Sequence, residues 1–225
     1  MRKPASMRSY EALGRIRLSR HFYMRDFLLS EIGIMHGIPN VPENPDLAIM
    51  AGRALCENLL DPLQETFGRI EIRSGYRAAA INAFGNKRSM SCAMNANDAE
   101  FGHHIWDLQP DGQIGAGATV VIPWFADQYA QGRDWRDLAW WIHDHLPFSY
   151  ICVFPKLCAM NLAWSSAPRR KIKSYVAPKG TLMTPGTAPP VQRAACYADF
   201  PPLRGIAYPA PGAFPPLTRP PDLRS

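Results

Sequence analysis

Leu47, Ala51, Leu55, Leu59, Leu63 and Phe67 recur at every fourth position, the spacing of one core-facing stripe on a helix. Asn44-Pro45-Asp46 opens that helix with a capping side chain, a proline in the first turn and an acid at the positive end of the dipole. Pro62 predicts a kink and Gly68 a stop. The period then changes to two: Ile70 and Ile72 alternate with Glu71 and Arg73, as in a half-buried strand. Ser74-Gly75 marks a turn, and Ala78-Ala79-Ala80 resumes as helix. Residues 118–122 are apolar and β-branched, which predicts a buried strand. Residues 123–129 and 134–146 read as helices, the second capped by Asp134 and striped by Leu138, Trp141, Ile142 and Leu146. Residues 148–154, 158–164 and 171–176 read as three further strands. Upstream, 24–35 reads as a short helix, and 84–100, polar and poorly periodic, as a loop.

Composition adds a size and a charge to this pattern. The chain has 225 residues, enough for one good-sized domain with an extension, and 47% hydrophobic content places it among globular proteins. The net charge is +6, and its basic residues are unevenly spread. Arg2, Lys3, Arg8, Arg15, Arg17 and Arg20 face only Glu11 in the first twenty residues, so residues 1–17 are expected to form a basic arm. Such an arm is either a solvated tail or a contact for an acidic protein or nucleic acid. No apolar run is long enough to span a membrane, and the first twenty residues lack the apolar region of a signal peptide. Cytoplasmic synthesis is the expectation. Cys56, Cys92, Cys152, Cys158 and Cys196 are odd in number and lack metal-type spacing, which suits reduced thiols.

The chemistry concentrates at the first strand corner. Gly68-Arg69-Ile70-Glu71-Ile72-Arg73-Ser74-Gly75-Tyr76-Arg77, followed by Asn82, places an arginine where a strand gives way to a helix. An arginine there either offers a bidentate fork to a carboxylate or covers an apolar edge with its stem. The order strand, Ser-Gly-Tyr-Arg, four residues, Asn resembles the bacterial and phage zinc D-Ala-D-Ala carboxypeptidase-like peptidases, the Hedgehog-type peptidase domain. The resemblance covers residues 18–175. It implies an α+β fold, a small mixed or antiparallel sheet flanked by helices, occupying residues 18–178. It also implies cleavage of peptide bonds in peptidoglycan stems, a bound zinc ion, and Arg77, Tyr76, Ser74 and Asn82 on the substrate side.

The same resemblance frames the metal candidates. Gly102-His103-His104-Ile105-Trp106-Asp107 combines imidazole and carboxylate, the usual first ligands of a catalytic zinc. The commonest family form has a histidine seven residues before the aspartate; here Glu100 stands there. His104 is the expected substitute ligand with Asp107, and His103 the weaker candidate; alternatively, the histidine and aspartate only hydrogen-bond at a sheet edge. Val153-Phe154-Pro155 and Asn161-Leu162-Ala163-Trp164 match the family's late strands. Cys152 stands where the family's general-base glutamate is expected, and Ser165 where its last zinc-ligating histidine is expected. No glutamate follows Glu100 and no histidine follows His145. A zinc peptidase needs three protein ligands, an open position and a base for the bound water. His21, His36, His143 and His145 read as structural or exposed.

From 179 onward the composition shifts again. This stretch carries 11 of the 22 prolines, with Tyr197, Phe200, Tyr208 and Phe214 between them. It is expected to be an extended arm, either a linker or a segment held in the grooves of a partner subunit. Two function classes follow. One is a zinc peptidase acting on peptidoglycan. The other, favoured by the missing glutamate and histidine, is a structural or wall-binding protein of impaired catalysis, with zinc absent or weakly held, such as a component of a phage particle or virion.

Overall fold

The computed structural model describes residues 1–108 and 112–205. The expectations placed on Tyr208, Phe214 and the last prolines lie outside the described residues. The protein is α+β: a six-stranded sheet with helices packed against it. The strands are β1 (Glu71–Ser74), β2 (Gly115–Val121), β3 (Tyr150–Val153), β4 (Met160–Ser165), β5 (Lys171–Ser174) and β6 (Gly180–Met183). Their order is β1-β2-β4-β3-β5-β6, antiparallel except for the β3–β5 pair.

The period-four stripe is the buried side of α3 (Pro45–Leu55) and α4 (Asp61–Phe67). Leu55, Leu59 and Leu63 are fully buried. Asn44 caps the helix as expected, its side chain accepting from the Leu47 amide. Pro62 cannot donate a backbone bond, and the turn before it, Cys56–Leu60, widens to a π-type turn. The Asp61 amide there reaches back to the Cys56 carbonyl. Two more helices, α7 (Pro123–Ala130) and α8 (Trp135–His145), complete the packing. Along the strands Ala116, Ala118, Val120, Ile151, Leu162 and Ile172 point one way, into a core shared with α3, α4, α7 and α8.

Some segments differ from the reading of the sequence. The 24–35 stretch is two pieces, a 3₁₀ turn (Met24–Phe27) and α2 (Glu31–His36). Ser30 starts the second by accepting from the Gly33 amide. Within 84–100, α5 (Ala79–Lys87) continues past Phe84, and a single turn, α6 (Asn95–Asn97), leads into a π-type turn at Asp98–Gly102. The basic arm is folded rather than free. Its α1 (Met7–Gly14) is capped by Ser6 and buries Leu13, while Lys3 and the N-terminal amine pair with Glu43 and Asp46. The domain boundary expected at 178 falls inside the sheet, because β6 pairs with β5. Beyond it, Phe200 packs its ring against Phe67, Trp124 and Phe125, so the part of the arm up to 205 belongs to the folded body. No helix among the described residues is long and apolar enough to cross a membrane.

Candidate functional site

The other face of the sheet carries Gly115, Gly117 and Thr119 of β2, Asn161, Ala163 and Ser165 of β4, and Tyr150 and Cys152 of β3. Over it lies the stretch from the Asp98–Gly102 turn to Trp106. Its approach is close: a Cβ on Gly117 would stand 2.0 Å from the Gly102 carbonyl oxygen, and one on Gly115 would stand 2.5 Å from the His103 ring. Only glycine lets the segment rest on the strand. Where β1 ends, this segment also takes over the sheet edge. The Gly117 amide donates to the His103 carbonyl at 2.8 Å, and Trp106 Nε1 donates to the Gly117 carbonyl at 3.0 Å. Asp98, buried, accepts the Ile105 amide and fixes the turn from inside.

The Ser-Gly-Tyr-Arg corner sits at one end of this face. Gly75 is required because a Cβ would meet the Phe27 backbone at under 3 Å. Arg77 gathers Ser74, Asn82 and Cys92: its guanidinium donates to Asn82 Oδ1 at 3.0 Å, to Cys92 Sγ at 3.2 Å and to Ser74 Oγ at 3.3 Å. The four-residue gap works because α5 brings Asn82 round one turn, where it is fully buried and bonded to Asn95 and the Ala93 carbonyl. Three of the four substrate-side candidates thus share one network. Tyr76, the fourth, is 1% exposed and packs edge-on against Trp106, inside the core rather than on a cleft wall. Burial, with the charge of Asp107 beside it, raises its pKa.

Asp107 has a positioning task. One carboxylate oxygen accepts the Tyr76 hydroxyl at 3.1 Å; the other accepts the backbone amides of Glu43 and Asn44 at 2.7 and 3.1 Å, tying the segment to the start of α3. His104 is fixed on both sides. Its Nδ1 donates to the Gly75 carbonyl at 2.9 Å, and its ring is also hydrogen-bonded by the Asn161 side chain, which accepts from Thr119. Burial lowers the His104 pKa, so the ring is held neutral.

His103 points elsewhere. Its backbone is left-handed, φ 50°, which turns its ring away from that of its neighbour and over Gly115. There it lines a cavity of about 220 Å³ with Ala96, Ala99, Glu100, Gln113, Ser165, Ala167 and Arg169. Burial pushes its pKa down to about 4, against the nearby charge of Asp98. Arg169 approaches Glu100 at 3.7 Å across the mouth. Ser165, expected at the position of a last zinc ligand, faces this cavity, with its Oγ accepting the Ala167 amide. Cys152 stands beside Asn161 in the sheet, shielded by a hydrogen bond from Tyr150, and burial raises its pKa.

This donor set does not fit a zinc ion. Asp107 and His104 spend their polar atoms on different structural partners, and His103 and Ser165 share a separate cavity. Among the described residues no three His, Cys, Asp or Glu side chains are placed to hold one metal ion. The residues that the sequence reading missed are Gly115, Gly117, Asp98, Asn161, Gln113 and Arg169. Only the Gly-Ala-Gly-Ala alternation carried a signal, two glycines on one strand face. No family model, curated protein or solved structure matches this chain.

Proposed function

We propose that the chain is a non-cutting relative of the peptidoglycan peptidases, which binds a carboxylate-bearing stem peptide and serves as a wall-binding or particle component. The observation that carries this reading is the use of Asp107. Three donors already occupy its carboxylate, and breaking them would unfasten the start of α3 and the Tyr76 hydroxyl. A ligand of that kind is not free to hold zinc, and the carboxylates of the two glutamates around it face cations, Glu43 paired with Lys3 and Glu100 opposite Arg169. What the same face retains is a small polar cavity whose cation, Arg169, and neutral imidazole, His103, suit a peptide carboxylate.

The test pairs metal with ligand. Purified protein should hold zinc well below one ion per chain, release no D-Ala from peptidoglycan above a buffer control, and bind a synthetic stem peptide in calorimetry. Arg169→Ala should weaken that binding about ten-fold, the scale of one charge-assisted contact. D-Ala release abolished by a chelator and restored by Zn²⁺ would return the protein to the enzyme class. Absence of stem-peptide binding would remove the wall-binding role.

A further inference from the structure

Part of the sheet face is not covered by the Gly102–His104 segment. On β5 the sequence Lys171-Ile172-Lys173-Ser174-Tyr175 alternates: Ile172 and Ser174 are buried, while the lysines and Tyr175 face the other way. The neighbouring β3 presents Tyr150 beside Lys171 and Cys152 beside Lys173 in register. Phe154, which follows β3, stacks on Tyr175 with centroids 5.6 Å apart and planes at 17°. Each lysine ammonium lies over a ring, Lys171 at 4.4 Å from Phe101 and Lys173 at 5.0 Å from Tyr175. Neither lysine meets a carboxylate among the described residues. Tyr175 is 49% exposed.

We propose that this surface binds single-stranded nucleic acid, independently of the peptide reading above. Lysines two residues apart on a strand stand about 7 Å apart, on a firm pleated base, and follow a phosphate backbone. The exposed Tyr175 ring and the partly exposed Phe154 stacked on it provide flat apolar surface on which bases stack without regard to sequence. The net charge of +6 supports long-range attraction of a polyanion. A purely acidic peptide would use the lysines but leave the Phe154–Tyr175 stack without a task, so the aromatic content of the face favours a nucleic acid.

The experiment is fluorescence anisotropy with a labelled oligothymidylate of about 12 nucleotides, starting near 50 mM salt, where backbone contacts are strongest. Two lysines on two phosphates give a slope of log K against log salt of about −1.4, from roughly −0.7 per contact on a single strand. Lys171→Ala with Lys173→Ala should bring the slope close to zero, and Tyr175→Ala should weaken binding about ten-fold while leaving the slope unchanged. An abasic oligomer of the same length should bind at least about ten-fold more weakly than oligothymidylate. These substitutions are on the surface, and unchanged near-ultraviolet circular dichroism establishes that each variant is folded. No binding at low salt, wild-type affinity in the double lysine variant, or equal affinity for the abasic oligomer or polyglutamate overturns the proposal. Stem-peptide binding in calorimetry is read separately, so either result can fail without the other.

Discussion

The two faces of the sheet are held by different physics. The helix-covered face is closed by volume: Leu55, Leu59 and Leu63 of the long helix and Ile151, Leu162 and Ile172 of the strands fill one core. The other face is closed by its smallest residues and by directed bonds. Gly115 and Gly117 give the segment 102–105 room, and backbone and side-chain hydrogen bonds from Gly117, Trp106, His104 and Asp98 hold it there. Apolar contacts tolerate imprecise placement, while hydrogen bonds fix direction. A surface that must present chosen polar groups is better made the second way.

The largest effects should separate the two mechanisms. Leu59→Ala removes a fully buried side chain and is expected to cost about 2–5 kcal/mol in urea unfolding. Gly117→Ala adds one methyl against a backbone oxygen at 2.0 Å, and a cost of about 2–4 kcal/mol is expected from the opposite cause, overpacking. The distinguishing readout is amide exchange. Leu59→Ala should raise exchange across the core helices, and Gly117→Ala chiefly over residues 98–106. A uniform increase in both would show that the two faces do not differ in this way.

Next is pH. His103 is held near 4 by burial, against about 6.5 in the unfolded chain. Between those values the unfolded state binds the extra proton, so stability rises with pH and is lost as pH falls from about 6.5 through 4. The burial of His104 acts in the same sense. The full His103 contribution is about 3 kcal/mol, because each ten-fold change in proton affinity is worth about 1.4 kcal/mol. His103→Gln should flatten the stability curve between pH 4 and 6.5 and leave it unchanged above 7. The same slope in wild type and variant would remove His103 from this role.

A smaller effect is expected where the chain after β6 returns to the body. Phe200 packs edge-on to Phe67 and Trp124, at the periphery of the helical core, with Arg133 above its ring. Phe200→Ala should cost about 2 kcal/mol, below a central aromatic deletion, and quench or shift the Trp124 fluorescence. An unchanged melting temperature would make this segment an appendage after all, as its proline content suggested.

How far the sequence could lead follows from these same elements. The period-four stripe and its caps named the long helix, since every position repeats one environment. The Ser-Gly-Tyr-Arg-x4-Asn spacing placed Ser74, Arg77 and Asn82 together, since strand, turn and first helical turn have nearly fixed geometry. By contrast, α1 buries only Leu13 and Gly14 and β6 only Met183, too few apolar positions to make a pattern. The site was legible in residue types and not in partnerships. One left-handed residue separates the environments of His103 and His104, and no residue type announces a positive φ on a histidine. Asp107 looked like a ligand because its structural partners, Tyr76 and the amides of Glu43 and Asn44, are 31, 64 and 63 residues away.

The smallest expected effect lies at the surface, where neither packing nor directed bonding is strong. Lys3 and Glu43 form an ion pair at 2.5 Å with side chains 51% and 75% exposed. Water screens such a pair, and holding two long side chains in one arrangement costs rotamer entropy. A double-mutant cycle with Lys3→Ala and Glu43→Ala should therefore give a coupling below about 0.5 kcal/mol at physiological salt, smaller still at high salt. The Glu43 backbone complicates the single variant, because its amide donates to Asp107. That donor is kept in Glu43→Ala, so the cycle isolates the charge from the bond that orients the site segment. A coupling above about 1 kcal/mol would mean that the amino-terminal segment is clamped by charge. The contrast between an oriented interior and a loosely charged surface would then not extend to this end of the chain.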